Sequence, residues 1–272
     1  MRRSGRVAVE DGVELHYIEE GEGRPIVFIH GVWASARFFD RQIAALGRRF
    51  HSIAVDLRGH GQSTMTLKDQ TVAVYARDLK AFLERMGIER PVLVGWSMGA
   101  FVIWDYVRQF GAGGIAATVI VDQAPSDFRS PSEPDGLITI EALAAWHRRA
   151  LIDRAALMHD VIPMMFSRPP AEPDHRWMFE EMTRQPEAIA AAILVEQTFQ
   201  GYRDVVENFP IPTLVCYGEK SPQPRVSMQW IARAALIGEE RIFEGCGHCL
   251  FLEAPEEFNR VVETFVDRVV PD

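Results

Sequence analysis

Apolar and polar residues alternate through the opening of the chain, "RVAVEDGVELHYIEEG", on either side of Asp11-Gly12. That period suits a strand with one buried face, and Asp-Gly between two such runs predicts a hairpin closed by a type I′ turn. The pattern then switches to short continuous apolar runs. "PIVFIHG", "HSIAVDLRGHG", "RPVLVGWSMG" and "AATVIVDQAP" each read as a strand covered on both faces, as in a parallel sheet. Between them, "FFDRQIAALGRRF", "TVAVYARDLKAFLERMGI" and "AFVIWDYVRQFG" have helical spacing. In the second of these Val74, Leu79, Phe82, Leu83 and Met86 share one face. Strands alternating with helices predict an α/β chain built on a doubly wound, mostly parallel sheet with right-handed crossovers.

From about Ser126 to Tyr202 the rhythm breaks. The stretch containing "LAAWHRRALIDRAALMHDVIPMMFSRPP" is helical and rich in Met, Trp, Pro and Ala, without a clear strand. It predicts a helical cap at 126–202, inserted into a core made of 1–125 and 203–272. The alternation resumes with the strand "IPTLVCYG", the helix "VSMQWIARAAL", the strand "ERIFEG" and the closing helix "PEEFNRVVETFVDRVV".

The 272 residues are 47% hydrophobic and 25% charged, ordinary for a globular chain with one sizeable core. The formal net charge of -9 repels phosphate backbones, which argues against nucleic acid as a partner. Cys216, Cys246 and Cys249 are too few, and odd in number, for a disulfide framework, and they fit a reducing compartment. "GCGHC" has C-x-x-C spacing, but no second pair of ligands accompanies it, so no metal site is expected. With no signal-peptide core and no run of roughly 18 apolar residues, a cytoplasmic protein that does not enter a membrane is the expectation. The oligomeric state is not legible.

Gly95-Trp-Ser-Met-Gly99 lies between an apolar run and a helix. A G-x-S-x-G in that context is a nucleophile elbow, a strained turn that lifts a serine hydroxyl above the end of the sheet. The helix beginning at Met98 adds N–H groups and a positive dipole end near developing negative charge. Ser97 is therefore the candidate nucleophile. A serine at its free pKa needs a base, and the chain offers eight histidines.

"HGVW" after a strand, "DLRGHGQS", "GWSMG" and "GCGHCLFLEAPEEFN" together resemble the α/β-hydrolase fold superfamily, on the side of small esterases and cofactor-free haloperoxidase-like enzymes. The resemblance covers the whole chain except the 126–202 insertion. It implies that the base follows the last strand, which selects His248, between "ERIFEG" and the closing helix. It also implies an oxyanion hole made by the N–H groups of Val32 and Met98, with His30 helping to hold "HGVW". The acid departs from the pattern. The family usually carries Asp or Glu three residues after the glycine of "PTLVCYG", where this chain has Ser221. Asp122, at the end of the preceding strand, and Glu219 are the alternatives, with Asp122 favoured; a bare dyad is a third.

By the same resemblance Ser97 attacks an acyl carbonyl, His248 moves its proton, and water releases the acyl group without a metal or organic cofactor. Trp33 and Trp96 flank the oxyanion donors and are expected to line the pocket. Met164, Met165, Phe166, Trp146, Trp177 and Phe179 are expected to roof it and to favour a small apolar or aromatic acyl substrate. Haloalkane dehalogenases and epoxide hydrolases need a carboxylate where Ser97 stands. Lactonases, perhydrolases and carbon–carbon bond hydrolases keep the serine and stay open. So does a ligand receptor built on a degraded hydrolase.

Overall fold

The computed structural model describes residues 1–134 and 136–270. Eight strands form one sheet: β1 (Arg3–Glu10), β2 (Val13–Glu20), β3 (Pro25–Ile29), β4 (His51–Val55), β5 (Val92–Trp96), β6 (Ala117–Val121), β7 (Thr213–Gly218) and β8 (Gly238–Phe243), in spatial order β1-β2-β4-β3-β5-β6-β7-β8. The hairpin β1–β2 is antiparallel and joins β4 antiparallel; every pair from β4 to β8 is parallel. The central strands β5, β6 and β7 are buried along their full length, as their unbroken apolar runs require.

The opening turn differs from expectation. Of its two central residues only Gly12 has a positive φ, 74°, and the ladder slips between Ala8 and Glu10. A type I′ turn needs both central residues in that region. The irregularity in β1 supplies the needed bend, so Asp11 keeps an ordinary φ.

The core helices are α1 (Asp40–Leu46), α2 (Val72–Arg85) and α3 (Met98–Phe110). On α2 the face predicted from spacing is the buried one, with Met86 partly covered at its end. Four helices follow β6: α4 (Ile140–Ile152), α5 (Arg154–Met164), α6 (Glu172–Thr183) and α7 (Glu187–Thr198). The chain enters and leaves this region at one place, where Ser126 bridges Gly201 and Tyr202 N–H donates to Pro125 O at 3.0 Å. Polar contacts fasten it to the sheet side. Gln185 Nε2 donates to Gly59 O at 2.7 Å, Ser35 Oγ to Glu181 at 2.7 Å, and Val72 N–H to Glu196 at 2.9 Å. The short α8 (Arg203–Val206), then α9 (Arg225–Ala234), α10 (Leu250–Glu253) and α11 (Pro255–Val269) complete the fold. Among the described residues no helix is long and apolar enough to cross a membrane.

The strand order fixes where a site can form. After β3 the chain steps outward to β4, then returns past β3 to lay down β5 on its other side. Loops leaving β3 and β5 therefore diverge, opening a crevice at the carboxyl ends of these two strands. "HGVW" and "GWSMG" are those loops.

Candidate active site

Ser97 joins β5 to α3 with φ 53° and ψ −127°. A non-glycine residue held there costs on the order of 1–3 kcal/mol and persists only where its surroundings fix it. Here Ser97 N–H donates to Val121 O at 3.1 Å, and its carbonyl accepts from Ala100 N–H at 2.8 Å. The helix leaves the elbow pressed against β3, so that a Cβ on Gly99 would stand 2.1 Å from Ile29 O. Only glycine allows that approach.

The loop after β3 is a turn closed by Ala34 N–H donating to Gly31 O at 3.2 Å, with Trp33 at φ 64°. His30 secures it from below. Its Nε2 accepts from Leu57 N–H at 3.0 Å, which leaves Nδ1–H to donate to Gly31 O at 2.8 Å. Burial holds the imidazole pKa down, so this neutral form persists. The N–H groups of Val32 and Met98 meet no acceptor among the described residues, as an oxyanion hole requires. Trp33 is anchored from the helical side, where its Nε1–H donates to Ala190 O at 3.0 Å and the Arg154 guanidinium lies 5.0 Å over its ring.

Asp122 follows β6, also at positive φ (54°), and is fully buried. Its Oδ1 accepts from Gly218 N–H at 3.2 Å, and its Oδ2 lies 2.6 Å from His248 Nδ1. Ser221 Oγ–H donates to the same Oδ2. Thus Ser221, in the usual acid position, donates to the carboxylate that meets His248. Glu219 is exposed and engaged elsewhere, accepting from Gly245 N–H at 2.9 Å and lying 3.6 Å from Lys220 Nζ. It does not reach His248.

The histidine loop is clamped at both sides. Trp96 Nε1–H donates to His248 O at 3.2 Å, with the two rings 5.3 Å apart. Cys249 N–H donates to Met165 O at 2.8 Å. Ser97 and His248 line one cavity of about 330 Å3 together with Val32, Trp33 and Trp96. The hydrogen bonds among the described residues join His248 to Asp122 but not to Ser97. That contact commonly tightens only when substrate is bound.

The helical region closes the cavity with Trp146, Val161, Met164, Met165, Met182 and Leu194. Three residues expected in this roof lie outside it. Phe166 and Trp177 line a separate cavity of about 310 Å3, and Phe179 stacks on the His159 ring at 4.4 Å. Their apolar character is legible in the sequence, but the direction in which each side chain faces is not.

Several residues escaped the sequence reading. Gln123, Asp127, Gln197 and Gln223 give the apolar cavity one polar wall. Burial pushes the Asp127 carboxyl up to about 6. Only the proximity of Gln123 to Asp122 hinted at this group. Arg154 is buried with no carboxylate in salt-bridge contact among the described residues, and burial lowers its pKa to about 10. The thiols of Cys216, Cys246 and Cys249 are all buried and unpaired, and burial raises their pKa.

Known proteins share this architecture and this sequence pattern. The chain is 29% identical over 274 residues to the non-heme chloroperoxidase CPO-A1 of Kitasatospora aureofaciens, covering 95% of this chain and 98% of that one. It is 26% identical over 276 residues to a bifunctional esterase/perhydrolase of Acinetobacter calcoaceticus, covering 96% and 99%. The crystal structure of a bromoperoxidase from Bacillus anthracis superposes with a TM-score of 0.93 at 22% identity, covering 97% of this chain and 100% of that one. The sequence model of the alpha/beta hydrolase family matches residues 26–261, and the chain belongs to that family.

Proposed function

We propose that this protein hydrolyses carboxylic esters or related acyl compounds through an acyl-enzyme on Ser97. The observation that carries the reading is the 2.6 Å contact between Asp122 Oδ2 and His248 Nδ1, on a histidine that shares its cavity with Ser97. Held by Asp122, Nδ1 keeps its proton and Nε2 is left as the base. Ser97 Oγ attacks the acyl carbonyl as Nε2 takes its proton. The oxyanion is stabilised by the N–H groups of Val32 and Met98, fixed in place before reaction. His248 then protonates the leaving alcohol, and water repeats the sequence to free the acid. Asp122 stabilises the imidazolium that forms.

Residues 126–202 act as a cap over the core formed by 1–125 and 203–272. Its Trp146, Met164 and Met165 suit a small apolar or aromatic acyl group. Buried unpaired thiols support a reducing, cytoplasmic setting. A second reading, acyl transfer to hydrogen peroxide, is supported by the esterase/perhydrolase relative and uses the same acyl-enzyme. A panel of short esters, lactones and thioesters, with and without peroxide, tests both. Turnover by the wild type that falls by about five orders of magnitude or more in Ser97→Ala is expected. Equal inertness of both toward every member would leave a ligand-binding scaffold instead.

A further inference from the structure

One wall of the cavity is unlike the rest. Gln123 and Asp127 lie on the loop after β6, Gln223 on the loop after β7, and Gln197 on α7. Asp127 is buried, and Gln123 Nε2–H donates to its Oδ1 at 2.8 Å. The second N–H of that amide donates to Ala124 O at 3.0 Å. Both donors being spent on acceptors, the amide orientation of Gln123 is fixed, and its Oε1 is buried without a partner. Gln197 Oε1 is likewise buried and unpartnered. The side chains of Gln197 and Gln223 also face the Asp127 carboxyl. Buried acceptors left bare cost on the order of 1–3 kcal/mol each, and both of these belong to side chains that line the cavity.

We infer that Asp127, Gln123, Gln197 and Gln223 form a hydroxyl-binding subsite, so that the preferred ester carries a hydroxyl group on its otherwise apolar body. The inference rests on the esterase reading of Ser97 and names its substrate class. Two bare carbonyl oxygens and a carboxyl call for a donor. A neutral donor fits better than an ammonium, because the Gln123, Gln197 and Gln223 amides already face the wall's single carboxyl and apolar side chains line the rest of the cavity. A hydroxyl also accepts, which the amide N–H groups of Gln197 or Gln223 can use. Sites built to hydrogen-bond a substrate hydroxyl discriminate strongly against analogues lacking it, because their own polar groups are then stranded.

The experiment compares kcat/KM for esters matched in size and differing by one hydroxyl. One pair carries it in the acyl part and another in the alcohol part. Wild type is expected to favour the hydroxylated member of at least one pair by about tenfold or more. In Gln197→Leu and Asp127→Leu that ratio should fall to near one; if the buried Asp127→Leu does not fold, Gln197→Leu carries the test. Equal rates for both members of both pairs would overturn the subsite while leaving the esterase reading intact. A preference for an amine-bearing ester over the hydroxylated one would overturn it in favour of a cation site. If no ester is turned over at all, the catalytic reading fails. Calorimetric binding of the hydroxylated and plain alcohols to wild type and Gln197→Leu then decides the subsite, with a hydroxyl preference lost in the variant supporting it and its absence in wild type refuting it.

Discussion

The two halves of the cavity are built by different means. Its floor is backbone. Ser97, Trp33 and Asp122 all follow strands, and all three hold positive φ, at 53°, 64° and 54°. Each is pinned by hydrogen bonds to neighbouring strands or to the loop itself. The roof is side chain. Trp146, Met164 and Met165 project from helices or their ends, and the helical region meets the floor through isolated contacts such as Trp33 with Ala190. A parallel sheet can store strain at its strand ends because both faces are covered and the strands cannot shift. A layer of helices fastened at points can change its side chains without disturbing that geometry. The floor thus suits invariant chemistry and the roof suits selection among substrates.

The sharpest way to break this contrast is to alter one floor atom. Asp122→Asn keeps the shape but favours the wrong histidine tautomer, and kcat should fall by about 10⁴, as for the equivalent loss in a serine protease. Glu219→Gln, on the exposed rim, should leave kcat and stability nearly unchanged. Steady-state kinetics on both variants, with circular dichroism to confirm folding, reads the result. The reverse outcome would move the acid to Glu219 and dismantle the floor described above.

A roof change should act on selection instead. Met165→Ala opens space without touching the elbow, and should cut kcat/KM for a long or aromatic acyl ester by about tenfold while affecting an acetyl ester little. The ratio of the two rates is the readout. Equal losses for both esters would mean that the roof positions the chemistry after all.

The smallest effect is one of stability. The Asp127 carboxyl titrates near 6 when folded, against about 3.9 for a free aspartate. The folded state therefore binds the extra proton between these values. Its contribution is complete below about pH 4 and is lost as pH rises through 6, on the order of 3 kcal/mol. Asp127→Asn removes the titration, so its melting temperature relative to wild type should climb by a few degrees or more between pH 5 and pH 8. A constant difference across that range would show that the carboxyl titrates normally.

Most of the core was legible because burial on both faces writes an unbroken apolar run. β5 and β6 fall where "PVLVGW" and "ATVIV" place them. The elbow was legible for the same reason, since a glycine-flanked serine between such a run and a helix has few other uses. The carboxylate that meets His248 was only half legible. Sequence shows Asp122 at a strand end, but not that Ser221, in the usual acid position, donates to it. That relation spans two strands whose register no local pattern encodes. The roof was least legible, since Met164 and Met165 reach the cavity while the adjacent Phe166 faces another. In the helical region a helix ends between these residues, and the direction of a side chain there depends on tertiary packing. The hairpin turn failed for a related reason. Asp-Gly announces a reversal, but the irregularity in β1 decides its type.

The account rests on a covalent bond forming at one oxygen. Mass spectrometry of protein quenched during turnover of a slowly deacylated p-nitrophenyl ester, followed by peptide mapping, tests it directly. One acyl group per chain on the peptide containing Ser97, absent in a folded Ser97→Ala variant, is the predicted result. An ester cleaved with no adduct at any time, or an adduct on another side chain, would contradict it.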